Sequence, residues 1–105
     1  MNVTISIGRN VGKVPLSTTE WNSFVGAIDR LVAALVEQST VAQVVQFGLV
    51  DGYWNGDREE SYTVTVADAD PTLEDALSNS LQVECIRYRQ DSIAATWYEV
   101  TLIER

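Results

Sequence analysis

The sequence contains no histidine and a single cysteine, Cys85, so it lacks the residues that most often bind zinc or haem. One cysteine cannot form a disulfide within the chain, and the fold must therefore be held together by its hydrophobic core. Cations are also scarce, with 7 Lys and Arg against 15 Asp and Glu and a net charge of −8. Because nucleic-acid binding requires clustered cations, we expect no metal, no cofactor and no direct contact with nucleic acid.

Long apolar runs are missing as well. No stretch approaches the roughly 18 residues needed to cross a bilayer, and the first ten residues, MNVTISIGRN, lack the basic-then-apolar order of a secretory signal. A chain of 105 residues that is 46% hydrophobic suits one compact core. We therefore expect a single cytoplasmic domain, residues 1–105, that does not contact a membrane.

The first half of the chain predicts a strand, a helix and a second strand. Val3, Ile5 and Ile7 alternate with polar residues, which is typical of a strand with one buried face. Ser17 and Glu20 have the spacing of a capping box, and apolar residues then recur every three or four positions to about residue 37, which predicts a helix. A second alternating stretch follows at Val45, Phe47 and Leu49.

The second half predicts a hairpin, a second helix and a last strand. Asn55-Gly56 is the type of turn that joins two strands, and Tyr62, Val64 and Val66 alternate after it. Asp70-Pro71 is a helix start, and an apolar stripe predicts a helix to near Arg89, through Leu73, Leu77, Leu81, Cys85 and Tyr88. The segment 93–103, IAATWYEVTLI, is β-branched and aromatic, as strands are.

The predicted order is therefore βαββαβ. This is the order of the ferredoxin-like α+β fold, a four-stranded antiparallel sheet with two helices on one face. An alternative interpretation makes residues 81–88 a strand paired with the last strand. The four-residue spacing of the leucines favours the helix.

The acidic residues are concentrated between positions 51 and 75, where Arg58 is the only base. If they lie at one end of the molecule, they make a surface suited to a basic protein partner. The candidate partner-binding residues are Asp57, Glu59, Glu60, Asp68 and Asp70. Glu59 and Glu60 are neighbours on a strand and point to opposite faces, so we interpret them as solvated charge rather than as a catalytic pair.

The sheet face opposite the helices is predicted to be uncharged and rich in threonine. If Val3, Phe47, Val64 and Tyr98 are buried, the opposite parity points outward and includes Thr63, Thr65 and Trp97, with Trp54 beside them at the hairpin tip. Such a face is unusual for a surface in contact with water. We expect it to be covered, most simply by a second copy of the chain. A bulge at Gly48 or Gly52 would instead turn Trp54 into the core.

Two further patterns are candidate sites of chemistry. Cys85 lies on the apolar stripe of the second helix, and no histidine is present to activate it, so it is expected to be a core residue. The stretch GRNVGK is one residue too short for a phosphate-binding P-loop and lacks its hydroxyl. We therefore predict no catalytic residue.

Four short motifs resemble a group of small proteins of actinobacteria and their phages. They are Gly8-Arg9-Asn10, Trp21 with Phe24, Gly52-Tyr53-Trp54 followed by Glu60-Ser61, and Gln90-Asp91-Ser92-Ile93. Together these motifs span nearly the whole chain. The resemblance implies a ferredoxin-like fold and a mobile-element origin, without implying an activity.

Three functional hypotheses follow. The first is a non-enzymatic protein-binding module, encoded by a phage or prophage, whose acidic residues inhibit a host complex that handles nucleic acid. The second is a cofactor-free dimeric α+β barrel enzyme or small-ligand binder with a pocket lined by Trp54, Trp97 and Thr65; the missing histidine counts against it. The third is a structural subunit of a larger assembly. The first is the prediction that the sequence favours.

Overall fold

Six strands and two helices form in the computed structural model, which describes residues 1–54 and 56–105 and leaves out the side chain of Trp54. The strands are β1 (Asn2–Gly8), β2 (Asn10–Val11), β3 (Val14–Pro15), β4 (Gln43–Trp54), β5 (Asp57–Ala67) and β6 (Ala94–Tyr98). The helices are α1 (Thr18–Glu37) and α2 (Glu74–Arg87), the second preceded by a short 3₁₀ helix, Pro71–Leu73. The alternative strand over residues 81–88 is wrong, because most of this segment is helical.

Four strands form one antiparallel sheet in the order β4-β5-β1-β6, and β2 pairs with β3 in a separate small hairpin. β1 lies at the centre, with Ile5 opposite Val64 on β5 and opposite Ala95 on β6. Gly56 has φ of +82°, a backbone conformation that suits glycine in the tight turn between β4 and β5. A mixed α+β fold with a four-stranded antiparallel sheet and two helices is thus confirmed.

The core lies between the two helices and one face of the sheet. Its fully buried side chains come from β1, α1 and β5, with Phe24, Ile5, Ile28, Val3, Val64 and Val66 the largest. From α2 the core receives Leu77 and Leu81. The residue buried one turn later is Glu84, so the apolar stripe predicted through Cys85 is only partly correct.

Ser17 caps the start of α1, and Asp70 caps the start of the short 3₁₀ helix that leads into α2. The Ser17 hydroxyl accepts a hydrogen bond of 3.2 Å from the Glu20 amide, as the capping-box spacing predicts. Asp70 accepts bonds from the amide and the hydroxyl of Thr72, and these bonds lower the pKa of its carboxyl below the usual value. The sequence therefore encodes both starts locally.

The predicted burial of β4 is wrong. Phe47 and Leu49 share the face of Val64 and Tyr62, as expected, yet they are 71% and 61% exposed. The reason is the order of the strands: β4 is an edge strand, and α1 leaves a groove beside it. A bulge lies between Val44 and Gln46 rather than at Gly48 or Gly52.

The last strand is shorter than predicted. β6 ends at Tyr98, which pairs with Asn2, the first residue of β1. Residues 99–105 form no strand pairing within residues 1–54 and 56–105. Val100 and Leu102 have the parity of Tyr98 and would be buried by the predicted pattern, but both are exposed.

Tyr62 gives the stability of the fold a specific dependence on alkaline pH. Burial of its hydroxyl, and then its hydrogen bond to Asp29, raise its pKa above the ordinary value of 10.0. A raised pKa in the folded state contributes stability below pH 10, and this contribution falls by up to about 1.4 kcal/mol per pH unit above it. Between pH 9 and 11 we expect the wild-type protein to lose about 1 kcal/mol more than Tyr62→Phe in urea denaturation. Equal losses would contradict the assignment.

Within the described residues, neither helix is long and apolar enough to cross a membrane.

Candidate functional site

A polar pocket lies on the open face of the sheet, the face that the helices do not cover. It has a volume of about 200 Å³ and is bounded by the ends of β1 and β5, the segment after β1 and the α2–β6 loop. Its lining consists of Ser6, Ile7, Gly8, Asn10, Gly12, Glu59, Ser61, Gln90, Asp91, Ser92 and Ala94. We refer to it as the Glu59 pocket.

The carboxylate of Glu59 is held in place within this pocket. Its Oε2 accepts a hydrogen bond of 2.8 Å from the backbone amide of Asn10. The carboxylate lies across Gly8, in the space that a Cβ at that position would occupy. Glu59, which was predicted to be solvated charge, is thus half-buried. This is possible because Gly8, on the neighbouring strand β1, has no side chain.

A second glycine makes room for the neighbouring polar side chain. Gly52 lies opposite Glu59 on β4, and a Cβ there would be 2.7 Å from the Ser61 hydroxyl oxygen. Glycines on both sides of β5 therefore allow Glu59 and Ser61 to lie close to the sheet. These close approaches explain why the two strands have glycine at these positions.

Arg9 fixes the segment after β1 from the opposite face. Its guanidinium donates a 2.8 Å bond to Glu60 Oε2 and another of 2.8 Å to the Leu16 carbonyl oxygen. Its backbone amide donates to the Glu60 carbonyl oxygen at 2.9 Å. Because Asn10 follows directly, these bonds place its amide beside Glu59. Arg9 is therefore a positioning residue for the pocket.

The third wall of the pocket is set by the end of α2. The Gln90 amide donates to the Cys85 carbonyl at 2.9 Å and the Arg89 amide to the Ile86 carbonyl at 3.2 Å, with Arg89 at φ of +56°. This is a Schellman ending. The Cys85 thiol donates to the Gln90 carbonyl oxygen at 3.2 Å. Cys85, expected to be a simple core residue, thus helps to orient the loop that presents Gln90.

The chemistry of the lining favours a cationic ligand. Its charged groups are the carboxylates of Glu59 and Asp91, and the described lining includes no Lys or Arg. The remaining polar groups are hydroxyls and amides, which donate to and accept from neutral or charged ligand atoms. Within residues 1–54 and 56–105, no cluster of three or more acidic or thiol side chains is placed to hold a metal ion.

The five acidic residues predicted to bind a partner do not form one surface. Asp57 and Glu60 lie at one end of β5, near Lys13 and Arg9 respectively. Asp68 and Asp70 follow the other end of this 11-residue strand. These acidic residues therefore do not share one end of the molecule, because the extended β5 strand separates the two groups. Of the five, only Glu59 lines the pocket.

The pocket predicted on the open sheet face is also not formed as expected. Thr63 and Thr65 lie on that face, and the Thr65 hydroxyl is hydrogen-bonded to Thr4 at 2.8 Å. Trp97 pairs with Val3 and packs against the core on the helix side. Its predicted outward orientation is wrong, because the register of β6 places Tyr98 on the open face instead. Trp54, whose side chain lies outside the described residues, stays a prediction.

Sequence reasoning missed most of the pocket. The sequence offers Asn10, Ser61 and the stretch 90–92 only as parts of the resemblance motifs, and Ser6 only as one of the polar residues that alternate with Val3, Ile5 and Ile7. The structure brings three of these four motif regions together at one place. The meeting of these motifs at one place identifies the pocket, but the sequence does not show it because it depends on how the loops are positioned in the fold.

The comparisons with known proteins bear on the fold. No protein-family model matches the chain, and no curated protein matches it. Among solved structures, a phage SAM lyase in its apo state is 20% identical, with a TM-score of 0.52, over 90% of this chain and 75% of that chain. The chain shares its fold with a phage SAM lyase. A structure of phage SAM lyase in complex with S-methyl-5'-thioadenosine aligns at 19% identity over 90% and 76% of the two chains, but its TM-score of 0.43 supports no argument.

This likeness overturns the leading functional prediction. The sequence favoured a non-enzymatic protein-binding module, whereas the solved protein that shares the fold is an enzyme. The candidate partner-binding residues Asp57, Glu59, Glu60, Asp68 and Asp70 stay a prediction, although the length of β5 separates them into two groups. Acidity alone does not distinguish a protein-binding surface from a small pocket that binds a cation, and this explains the error.

Proposed function

We propose that the protein is an enzyme that binds S-adenosylmethionine (SAM), or a closely related sulfonium compound, at the Glu59 pocket and cleaves it as a lyase. The single observation that carries the proposal is the fixed Glu59 carboxylate in a pocket without cationic side chains, in a chain that shares its fold with a phage SAM lyase. SAM bears a sulfonium and an ammonium cation and one carboxylate. A net positive substrate suits both this pocket and the net charge of −8.

The size of the pocket indicates which part of SAM it holds. Pockets that enclose a whole drug-sized ligand measure roughly 300–1,000 Å³, whereas this one measures about 200 Å³. We therefore assign it the amino-acid end of the substrate. The adenosine would extend along the open face of the sheet, which bears Thr63.

Charge considerations assign Glu59 to the ammonium group. When a carbon–sulfur bond of a sulfonium breaks without an added acceptor, its electron pair stays on sulfur and the positive charge there disappears. The carbon either forms a bond to an oxygen of the substrate's own carboxylate, or a proton leaves the neighbouring carbon and a double bond forms. A carboxylate beside sulfur would stabilise the substrate more than the transition state and would slow the reaction. A carboxylate beside the ammonium group keeps its interaction throughout, so Glu59 contributes binding. The hydroxyl and amide groups of Ser6, Ser61 and Gln90 would hold the substrate carboxylate.

The test is direct measurement of SAM consumption by the purified chain without any added acceptor. We expect SAM to disappear over many turnovers, with products that differ from it by cleavage of one carbon–sulfur bond in mass spectrometry. Glu59→Gln keeps the acceptor for the Asn10 amide and removes only the charge, so KM should rise about tenfold, equivalent to about 1.4 kcal/mol, with kcat little changed.

The matched control is Asp57→Asn, which removes the same charge from the exposed start of β5, outside the pocket. We expect its KM to stay within about twofold of wild type, because exposed charges are screened. Equal effects of the two substitutions would refute the assignment to the pocket. Failure of the wild-type chain to consume SAM would refute the lyase activity.

Two finer inferences belong with this proposal. If the four strands of the main sheet, β1, β4, β5 and β6, are numbered 1 to 4 in chain order, their order in the sheet is 2-3-1-4, and both helices lie on one face. We infer that the topology is ferredoxin-like, with β2 and β3 as a small insertion. The likeness to a phage enzyme and the four motifs that resemble those of phage proteins support a phage origin for the chain.

A further inference from the structure

The free edge of β4 is long, apolar and almost uncharged. Across its 12 residues the only charged side chain is Asp51. Val44, Val45, Phe47 and Leu49 are all exposed, Phe47 by 71%. Proteins usually protect an exposed edge strand with Lys, Pro, a short length or a covering segment, because its unpaired backbone groups bind other strands. None of the described residues of this chain covers the β4 edge in this way.

A second segment of the same chain, residues 99–105, has a strand-like sequence but no strand to pair with in the described part of the chain. Its residues, EVTLIER, include the β-branched and apolar types that strands favour, yet none of them takes part in the described strand pairings. Leu102 is 78% and Ile103 90% exposed. This segment has the sequence of a strand and lacks a neighbouring strand.

The two features match in length and area. Seven extended residues span roughly 23 Å, well within the roughly 40 Å of a 12-residue strand. The groove beside β4 is lined on the α1 side by Val32, Ala33 and Val36, where Val100 and Leu102 can be buried. The seven large apolar residues on the two features are 42–90% exposed, and covering them buries roughly several hundred Å² per copy, which is the order of the roughly 800 Å² per partner of a stable interface.

We infer that residues 99–105 of one copy of this chain pair as an added strand with the β4 edge of a second copy. The backbone groups of both segments are satisfied by this pairing, and the apolar side chains fill the groove between β4 and α1. Each copy has one such segment and one such edge, so reciprocal exchange or a small ring closes the assembly. The open sheet face and its Glu59 pocket stay outside the contact.

The test is the molar mass of the purified chain in solution, measured by size-exclusion chromatography with light scattering. We expect a closed oligomer for the wild type and a monomer for a variant that ends after Tyr98. Leu102→Glu, a point change in the same segment, should raise the dissociation constant at least 100-fold. A monomeric wild type, or an oligomeric variant without residues 99–105, would overturn the inference.

Two further variants keep the result specific. Ile86→Glu places the same charge on an exposed apolar residue of α2, far from both features in the sequence, and should assemble as the wild type does. Phe47→Glu should be monomeric, yet it should form a mixed complex with the variant that ends after Tyr98, because one intact segment and one intact edge remain. A mixture that stays monomeric would overturn the pairing, and circular dichroism verifies that each variant is folded.

Discussion

Replacing Phe24 with alanine is expected to lower the free energy of unfolding by about 3–5 kcal/mol. Phe24 is fully buried, and its ring stacks on Tyr88 with the centroids 4.5 Å apart. It also meets the edge of Trp21 at 6.0 Å. The substitution therefore leaves a cavity where α1 contacts the end of α2, and both the transfer energy of the ring and its contacts are lost.

Phe47 provides the matched control, since the chain has only two phenylalanines. Its ring is 71% exposed, so Phe47→Ala should change the free energy of unfolding by less than about 1 kcal/mol. Urea denaturation of both variants is best measured in the chain that ends after Tyr98, so that assembly does not contribute. Similar losses at the two positions would contradict the assignment of Phe24 to the core and Phe47 to the edge.

Gly8→Ala is expected to lower kcat/KM for SAM by about 100-fold while the protein stays folded. The new Cβ would occupy the position of the Glu59 carboxylate, which must then leave the Asn10 amide and enter the cavity. Displacement of a binding group by about 1 Å is sufficient for a loss of this size. The flexible end of a glutamate moves easily, so the free energy of unfolding should fall by no more than about 1 kcal/mol.

Gly48→Ala is the control for this prediction. Gly48 lies on the same face of the same sheet, opposite Thr63, and a Cβ there would meet no atom within 4 Å. Both substitutions change glycine to alanine within a strand, so they alter the entropy of the unfolded chain alike. A loss of turnover with Gly48→Ala equal to that with Gly8→Ala would show that the effect comes from the backbone rather than from Glu59.

Much of the fold could be predicted because its signals are local. The alternation of Val3, Ile5 and Ile7 and the cap at Ser17 depend only on neighbouring residues, and the structure has both. The burial of β4 could not be predicted in this way. Its alternation is as regular as that of β1, and only the order of the strands makes one central and the other an edge.

Orientation in β6 failed for a related reason. The segment 93–103 has apolar or aromatic residues at both parities, so its sequence does not specify a buried face. The pairing of Trp97 with Val3, which faces the helices, determines which side chains of β6 face the core. The candidate site was predicted even less completely, because Asn10, Glu59 and Gln90 are distant in sequence and meet only through Arg9, Gly8 and the end of α2.

The paired contacts at the end of β5 have a consequence for how the chain folds. Arg9 and Asn10 are consecutive, as are Glu59 and Glu60, and they bond one to one on opposite faces of the sheet. A slip of one residue between β1 and β5 would present each carboxylate to the wrong face and leave the guanidinium without its acceptor. The two contacts thus act as a check on strand alignment, so a chain that has formed the Glu59 pocket has also paired its central strands correctly.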